Sequence, residues 1–132
     1  MKPPFLHHIT LTVSDLARSA EFYQRLFGPA DVAAREGPGW QRRRLLWPGG
    51  LMIGVTVFDD GDADGFDPSR IGMDHVGFGV DSAEDVRGWV RRMDDLGIEH
   101  GPVEDTPHAL VVTGRDPDGI PIEFYWAKPP VT

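Results

Sequence analysis

The chain reads as two copies of one plan. Aligning Leu6-His7-His8-Ile9-Thr10-Leu11-Thr12-Val13 with Met73-Asp74-His75-Val76-Gly77-Phe78-Gly79-Val80 puts His8 on His75 and Val13 on Val80. Each run leads into a helix-like segment and ends in a strand after a turn, Pro48-Gly49-Gly50 in the first copy and Pro117-Asp118-Gly119 in the second. An internal repeat says how a chain is built, because each copy must satisfy the same pattern of buried faces. Glu123 follows the second turn. Two imidazoles and one carboxylate are the ligand set of an open divalent-metal site, suited to zinc, nickel, manganese or ferrous iron.

Strict alternation from Phe5 to Val13 predicts a strand with Phe5, His7, Ile9, Leu11 and Val13 on its apolar face and His8, Thr10 and Thr12 on the other. Ser14-Asp15 offers a helix N-cap. Leu16, Ala20, Tyr23 and Phe27 form a buried stripe, and Gly28-Pro29 ends the helix. Strands follow near Val32–Glu36, Gln41–Trp47 and Leu51–Phe58. The second copy repeats this order. Met73–Val80 is a strand, Ser82 and Asp85 cap a helix with Val86, Trp89, Val90, Met93 and Leu96 inward, and Gly97 stops it. Strands are expected at Ile98–Val103, Ala109–Arg115 and Ile120–Trp126. In three strands the candidate ligand falls on the face away from the apolar row. That face should line a cavity with His8, Thr10, Thr12, Met52, Gly54, Thr56, His75, Gly77, Gly79, Glu123 and Tyr125, the glycines leaving room for a ligand. The expected class is α+β, two tandem βαβββ modules over about residues 1–58 and 71–128, joined by an acidic linker over about 59–70.

At 132 residues the chain is one domain by length. Its net charge of −8 disfavours nucleic acid as a partner and mildly favours cationic or neutral ligands over polyanions. No apolar run approaches membrane-spanning length and no signal-like start is present, so a cytoplasmic protein without a membrane partner is expected. Cys is absent, which removes disulfide and thiolate chemistry. Arg42-Arg43-Arg44 reads as a strand flank or salt-bridged edge. Asp60-Gly61-Asp62-Ala63-Asp64-Gly65 opens like a calcium-binding loop, but Ile71 stands where the bidentate Glu belongs, so it reads as solvated linker. His7, one residue out of phase, reads as structural. His100 and His108 read as loop or surface residues, with His108 a lesser acid-base candidate.

Three segments together resemble the vicinal oxygen chelate superfamily of glyoxalases, extradiol dioxygenases, and fosfomycin and bleomycin resistance proteins. They are His7–Leu16, Asp74–Phe78 and Arg115-Asp116-Pro117-Asp118-Gly119-Ile120-Pro121-Ile122-Glu123. The resemblance implies that the paired modules form an open, incomplete β-barrel around one divalent metal per site. It implies a small-molecule substrate that presents two adjacent oxygens, and commonly a homodimer whose sites combine modules of both subunits. His8, His75 and Glu123 then hold the metal, while Glu123 and Tyr125 are the candidates for proton transfer. The chemistry implied is isomerase or lyase reaction, or ring-cleaving dioxygenation; the alternative is a metal-free antibiotic-binding protein of the bleomycin-resistance type.

Departures narrow this. Gly54 stands where glyoxalase I usually carries a fourth ligand, a Glu, and so disfavours that activity. Thr113 stands where extradiol dioxygenases commonly carry a Tyr. Thr10 matches a Thr of fosfomycin resistance proteins, but their Ser/Asn-rich potassium loop is missing, and an anionic phosphonate sits poorly with an acidic protein unless the pocket itself is basic. Trp40, Trp47, Trp89 and Trp126 fit a drug-binding groove loosely, yet such a binder needs none of the three ligand positions.

Overall fold

The computed structural model describes residues 1–61 and 64–131. The chain divides into two compact units, Met1–Asp64 and Gly65–Thr132. Each holds one helix and one four-stranded mixed sheet in the order βαβββ, which makes the class α+β.

In the first unit β1 (Ile9–Thr12) leads into α1 (Leu16–Phe27), followed by β2 (Asp31–Gly37), β3 (Trp40–Leu46) and β4 (Met52–Phe58). The sheet order is β1-β4-β3-β2, with β1 parallel to β4 and the other pairs antiparallel. Asp15 caps α1 by accepting from the Arg18 amide at 3.0 Å. Gly28, at φ 93°, ends it, and its carbonyl takes the Trp47 indole N–H at 2.7 Å. α1 packs on β3 and β4, where Tyr23, Leu26, Leu45, Ile53 and Val55 are buried. Leu26, outside the expected stripe, is buried, while Phe27 is half-buried and meets the Trp47 ring edge-on.

The second unit repeats the plan with β5 (Val76–Gly79), α2 (Ala83–Leu96), β6 (Glu104–Asp105), β7 (Ala109–Arg115) and β8 (Pro121–Ala127), in sheet order β5-β8-β7-β6. Ser82 caps α2 by accepting from the Asp85 amide, and Gly97 closes it in the left-handed region that glycine reaches without strain. Val86 and Met93 are fully buried, and the Trp89 ring stacks on Phe124 at 4.3 Å.

The differences from expectation have local causes. β1 starts at Ile9, not Phe5, and Phe5 is 82% exposed instead of buried. Ile9 pairs with Ile53 in a parallel register, so by the same register Leu6 and Phe5 would have to pair with Gly50 and Gly49 of the turn before β4. β5 begins at Val76, not Met73: by the same register His75 stands across from Pro121, which has no N–H for a ladder. The strand expected over Ile98–Val103 is reduced to a single bridge between His100 and Gly114 followed by the two-residue β6, since Pro102 interrupts the donor row. The calcium-loop-like stretch includes Asp62 and Ala63, which lie outside the described residues. Among the described residues no helix is long and apolar enough to cross a membrane.

Candidate metal centre

Glu123 sits mid-strand in β8, with Gly77 of β5 across from it on one side and Thr113 of β7 on the other. Its position is set by the turn that joins β7 to β8. The Asp116 carboxylate, 5% exposed, accepts from the amides of Asp118 and Ile120 at 2.9 Å each, and the Asp116 amide donates to the Ile120 carbonyl at 3.0 Å. Gly119, at φ 83°, supplies the backbone reversal. A methyl group at Gly77 would stand 3.6 Å from Glu123 Oε1, in ordinary van der Waals contact, so nothing on β5 presses on the carboxylate.

His75 lies one residue before β5 and turns its Nε2 to within 3.4 Å of Glu123 Oε1. Its Nδ1 is held by Asp74 Oδ1 at 2.8 Å. The Asp74 hydrogen bond first, and the charge of Glu123 behind it, hold the imidazolium pKa above the ordinary histidine value, while desolvation opposes them. A histidine whose one nitrogen is oriented by a carboxylate while the other faces a second carboxylate has the outer-shell arrangement of a metal ligand. An imidazole nitrogen and a carboxylate oxygen are donors of the kind a divalent transition-metal ion takes. Asp74 as orienting partner was missed from sequence, although an acidic residue beside a candidate ligand is the signal for it.

In the first unit His8 lies one residue before β1, exposed, with its Nδ1 2.8 Å from that of His7. The strand pairing that follows sets Thr10 opposite Gly54 and Thr12 opposite Thr56. A Cβ at Gly54 would stand 2.7 Å from Thr10 Oγ1, so the space beside this glycine is filled by threonine rather than reserved for a ligand. The same contact excludes any longer side chain, a fourth carboxylate ligand included, from this position as the strand stands.

Arg42-Arg43-Arg44 is neither a strand flank nor an edge. These residues lie inside β3, between β2 and β4, where alternation divides them between the two faces. Arg43 pairs with Val55 on the helix side, while Arg42 and Arg44 pair with Thr56 and Gly54 on the opposite side. Arg42 Nε donates to the buried Thr56 hydroxyl at 2.8 Å, and its guanidinium lies 4.8 Å from the centre of the Trp40 ring.

Of the candidate site residues, the structure brings His75 and Glu123 together within the second unit. Tyr125 follows two residues along β8 between Gly79 and Val111, 38% exposed. His100 is engaged by Asp94 and by the Gly101 carbonyl at the end of α2. His108 is exposed, and its backbone carbonyl takes the Lys128 amide. Among the described residues, no three His, Asp or Glu side chains form a group that could hold a metal ion.

Several known proteins are similar to this chain in sequence or in fold. A trivalent organoarsenical cleaving enzyme of Bacillus sp. strain MD1 is 30% identical over 126 residues, 92% of this chain and 72% of that protein. The crystal structure of a glyoxylase/bleomycin resistance protein/dioxygenase domain from Frankia sp. EAN1pec superposes with a TM-score of 0.88 at 28% identity, covering 96% of this chain and 94% of that one. The fosfomycin resistance protein FosX of Listeria monocytogenes, solved with Mn(II) and sulfate, superposes with a TM-score of 0.69 at 23% identity, covering 96% of this chain and 95% of that one, a likeness of fold alone. Residues 5–124, a span that includes His8, His75 and Glu123, match one family throughout, and the chain belongs to the Glyoxalase/Bleomycin resistance protein/Dioxygenase superfamily.

Proposed function

We propose that the protein is a metal-dependent enzyme acting on a small molecule with two adjacent oxygens, and that His8, His75 and Glu123 are the ligands of one divalent cation. The observation that carries this reading is the pairing of His75 Nε2 with Glu123 Oε1 at 3.4 Å, with the other imidazole nitrogen fixed by Asp74. A bound cation supplies Lewis acidity, stabilising negative charge that develops on a substrate oxygen. The chain's own residues do the rest. Asp74 holds the His75 ring in one orientation, and the glycine opposite Glu123 leaves space at its carboxylate for a second partner. Glu123 and the Tyr125 hydroxyl, which share one face of β8, take up and return the proton. The reaction class is isomerase or lyase chemistry, or ring-cleaving dioxygenation. Cleavage of trivalent organoarsenicals does not carry over readily from the Bacillus relative: arsenic(III) is a soft, thiolate-seeking centre, and this chain has no cysteine.

Elemental analysis of protein purified without chelator, together with Mn(II) titration, tests the reading. Near-stoichiometric metal is expected in the wild type and its loss in folded His75→Ala and Glu123→Ala variants. Native iron with oxygen consumption would select the dioxygenase branch; manganese, nickel or zinc selects the isomerase and lyase branch. A wild type that takes up no metal on reconstitution would sink the proposal in favour of a metal-free small-molecule binder.

A further inference from the structure

The sheet face of the first unit opposite α1 carries a concentration of cations that the fold does not require. By register, one cross-strand row of this face is Thr12, Thr56, Arg42 and Arg35, and the next is Thr10, Gly54, Arg44 and Ala33. Arg35 and Arg42 stand directly opposite each other on neighbouring strands, with Arg44 two residues along from Arg42. Like charges at cross-strand partners repel and cost stability. A chain with 13 basic and 21 acidic residues has acid to spare for neutralising them. Yet among the described residues of this unit no carboxylate forms an ion pair with Arg35, Arg42 or Arg44, and the one acidic residue in register on this face, Asp31, lies at the far end beside Leu46. Arg35 and Arg44 are exposed, as are the Thr10 and Thr12 side chains.

Arg42 is also set in advance. Its Nε is spent on the buried Thr56 hydroxyl and its guanidinium lies beside the Trp40 ring, so neither interaction uses its terminal N–H donors. A guanidinium fixed in this way loses little entropy on binding, and its fork matches two oxygens of a carboxylate or phosphonate.

We infer that this face, through Arg42, Arg44 and Arg35 with the Thr10 and Thr12 hydroxyls, binds an oxyanion, a carboxylate or a phosphonate. The inference concerns the first unit alone, and the anion contact needs no metal. It runs against the chain's net charge of −8, from which neutral or cationic ligands were expected. Local groups decide here because solvent and salt screen charges beyond about 10 Å.

The test is an NMR titration of metal-free protein with benzoate, phenylphosphonate and neutral benzamide, following the Arg Nε–Hε, Trp40 indole and β1, β3 and β4 amide signals. Saturable shifts at Arg42, Arg44 and Trp40 are expected with one or both anions and none with benzamide; which anion binds more tightly names the headgroup. Arg44→Gln should weaken binding about tenfold. Arg42→Lys keeps the charge but loses the fork and the Thr56 anchor, and should weaken it too while remaining folded, as its amide spectrum will report. Shifts that do not saturate, that spread equally to Arg87 and Arg91 on α2, that benzamide reproduces, or that survive both variants would overturn the inference. Mn(II) titration of the same samples separates the two claims: intact anion binding without metal uptake rejects the metal-dependent reading alone.

Discussion

A methyl group at position 54 would stand 2.7 Å from Thr10 Oγ1, 3.0 Å from its Cγ2 and 3.3 Å from its Cβ. Threonine is β-branched and stiff about χ1, so no rotation clears all three atoms at once. Gly54→Ala is therefore expected to cost about 1–3 kcal/mol in urea unfolding, the range for overpacking. Most of that cost should vanish in a Thr10→Ala background, where the obstructing atoms beyond Cβ are gone. Additive losses in the double variant would refute the contact as the cause. This glycine also marks the limit of sequence reading at the residue scale. Alternation placed Gly54 and Thr10 on one face, as their register has it, but one-dimensional parity cannot tell space kept for a ligand from space already filled by a cross-strand neighbour. Arg42 and Arg44 show the same limit: their run in sequence looked like an edge until β3 was known to be an inner strand.

At the scale of elements, caps and turns were the most legible features because their chemistry is local. Asp15, Gly28, Ser82 and Gly97 act within a few residues of their own position. Strand ends were less legible because they depend on the partner: behind β1 the register runs into the Gly49-Gly50 turn, and behind β5 it meets Pro121, which has no N–H to give. The segment after α2 adds a tertiary tie that periodicity does not report. His100 Nδ1 lies 2.7 Å from the Gly101 carbonyl and Nε2 lies 2.7 Å from Asp94 Oδ1 near the end of α2. Only the imidazolium can donate to both acceptors at once. The Gly101 carbonyl, then the Asp94 hydrogen bond, accordingly raise the His100 pKa above 6.5, against a smaller opposing effect of burial. The folded state then holds the proton more tightly than the unfolded chain, so the stabilisation is complete below pH 6.5 and is lost as pH rises through the folded value. His75 shifts in the same direction, so the comparison must be between wild type and His100→Gln. Urea unfolding between pH 5.5 and 8.5 should show a smaller fall in stability with rising pH for the variant. Equal falls would remove His100 from the account.

For the molecule as a whole, two βαβββ units in one chain pose a question of partnership. The second unit holds the His75–Glu123 pair, while the third proposed ligand, His8, belongs to the first unit. If the protein is a symmetric dimer with shared sites, each site takes His8 from one chain and His75 with Glu123 from the other. Mixing two inactive variants tests this without any knowledge of substrate. His8→Ala and Glu123→Ala dimers, each unable to hold metal, are unfolded together and refolded as an equimolar mixture. In a heterodimer with shared sites, one site loses both altered residues and the other is fully native. Half of randomly paired dimers are heterodimers, so Mn(II) uptake should return to about a quarter of the wild-type value. Were each site built within one chain, every chain in the mixture would lack a ligand and uptake would stay at the level of the separate variants. Sedimentation of the refolded mixture guards the interpretation, since a monomeric protein could give no recovery by either route. Recovery at about a quarter would assign the proposed ligands His8 and Glu123 to opposite subunits of one metal site.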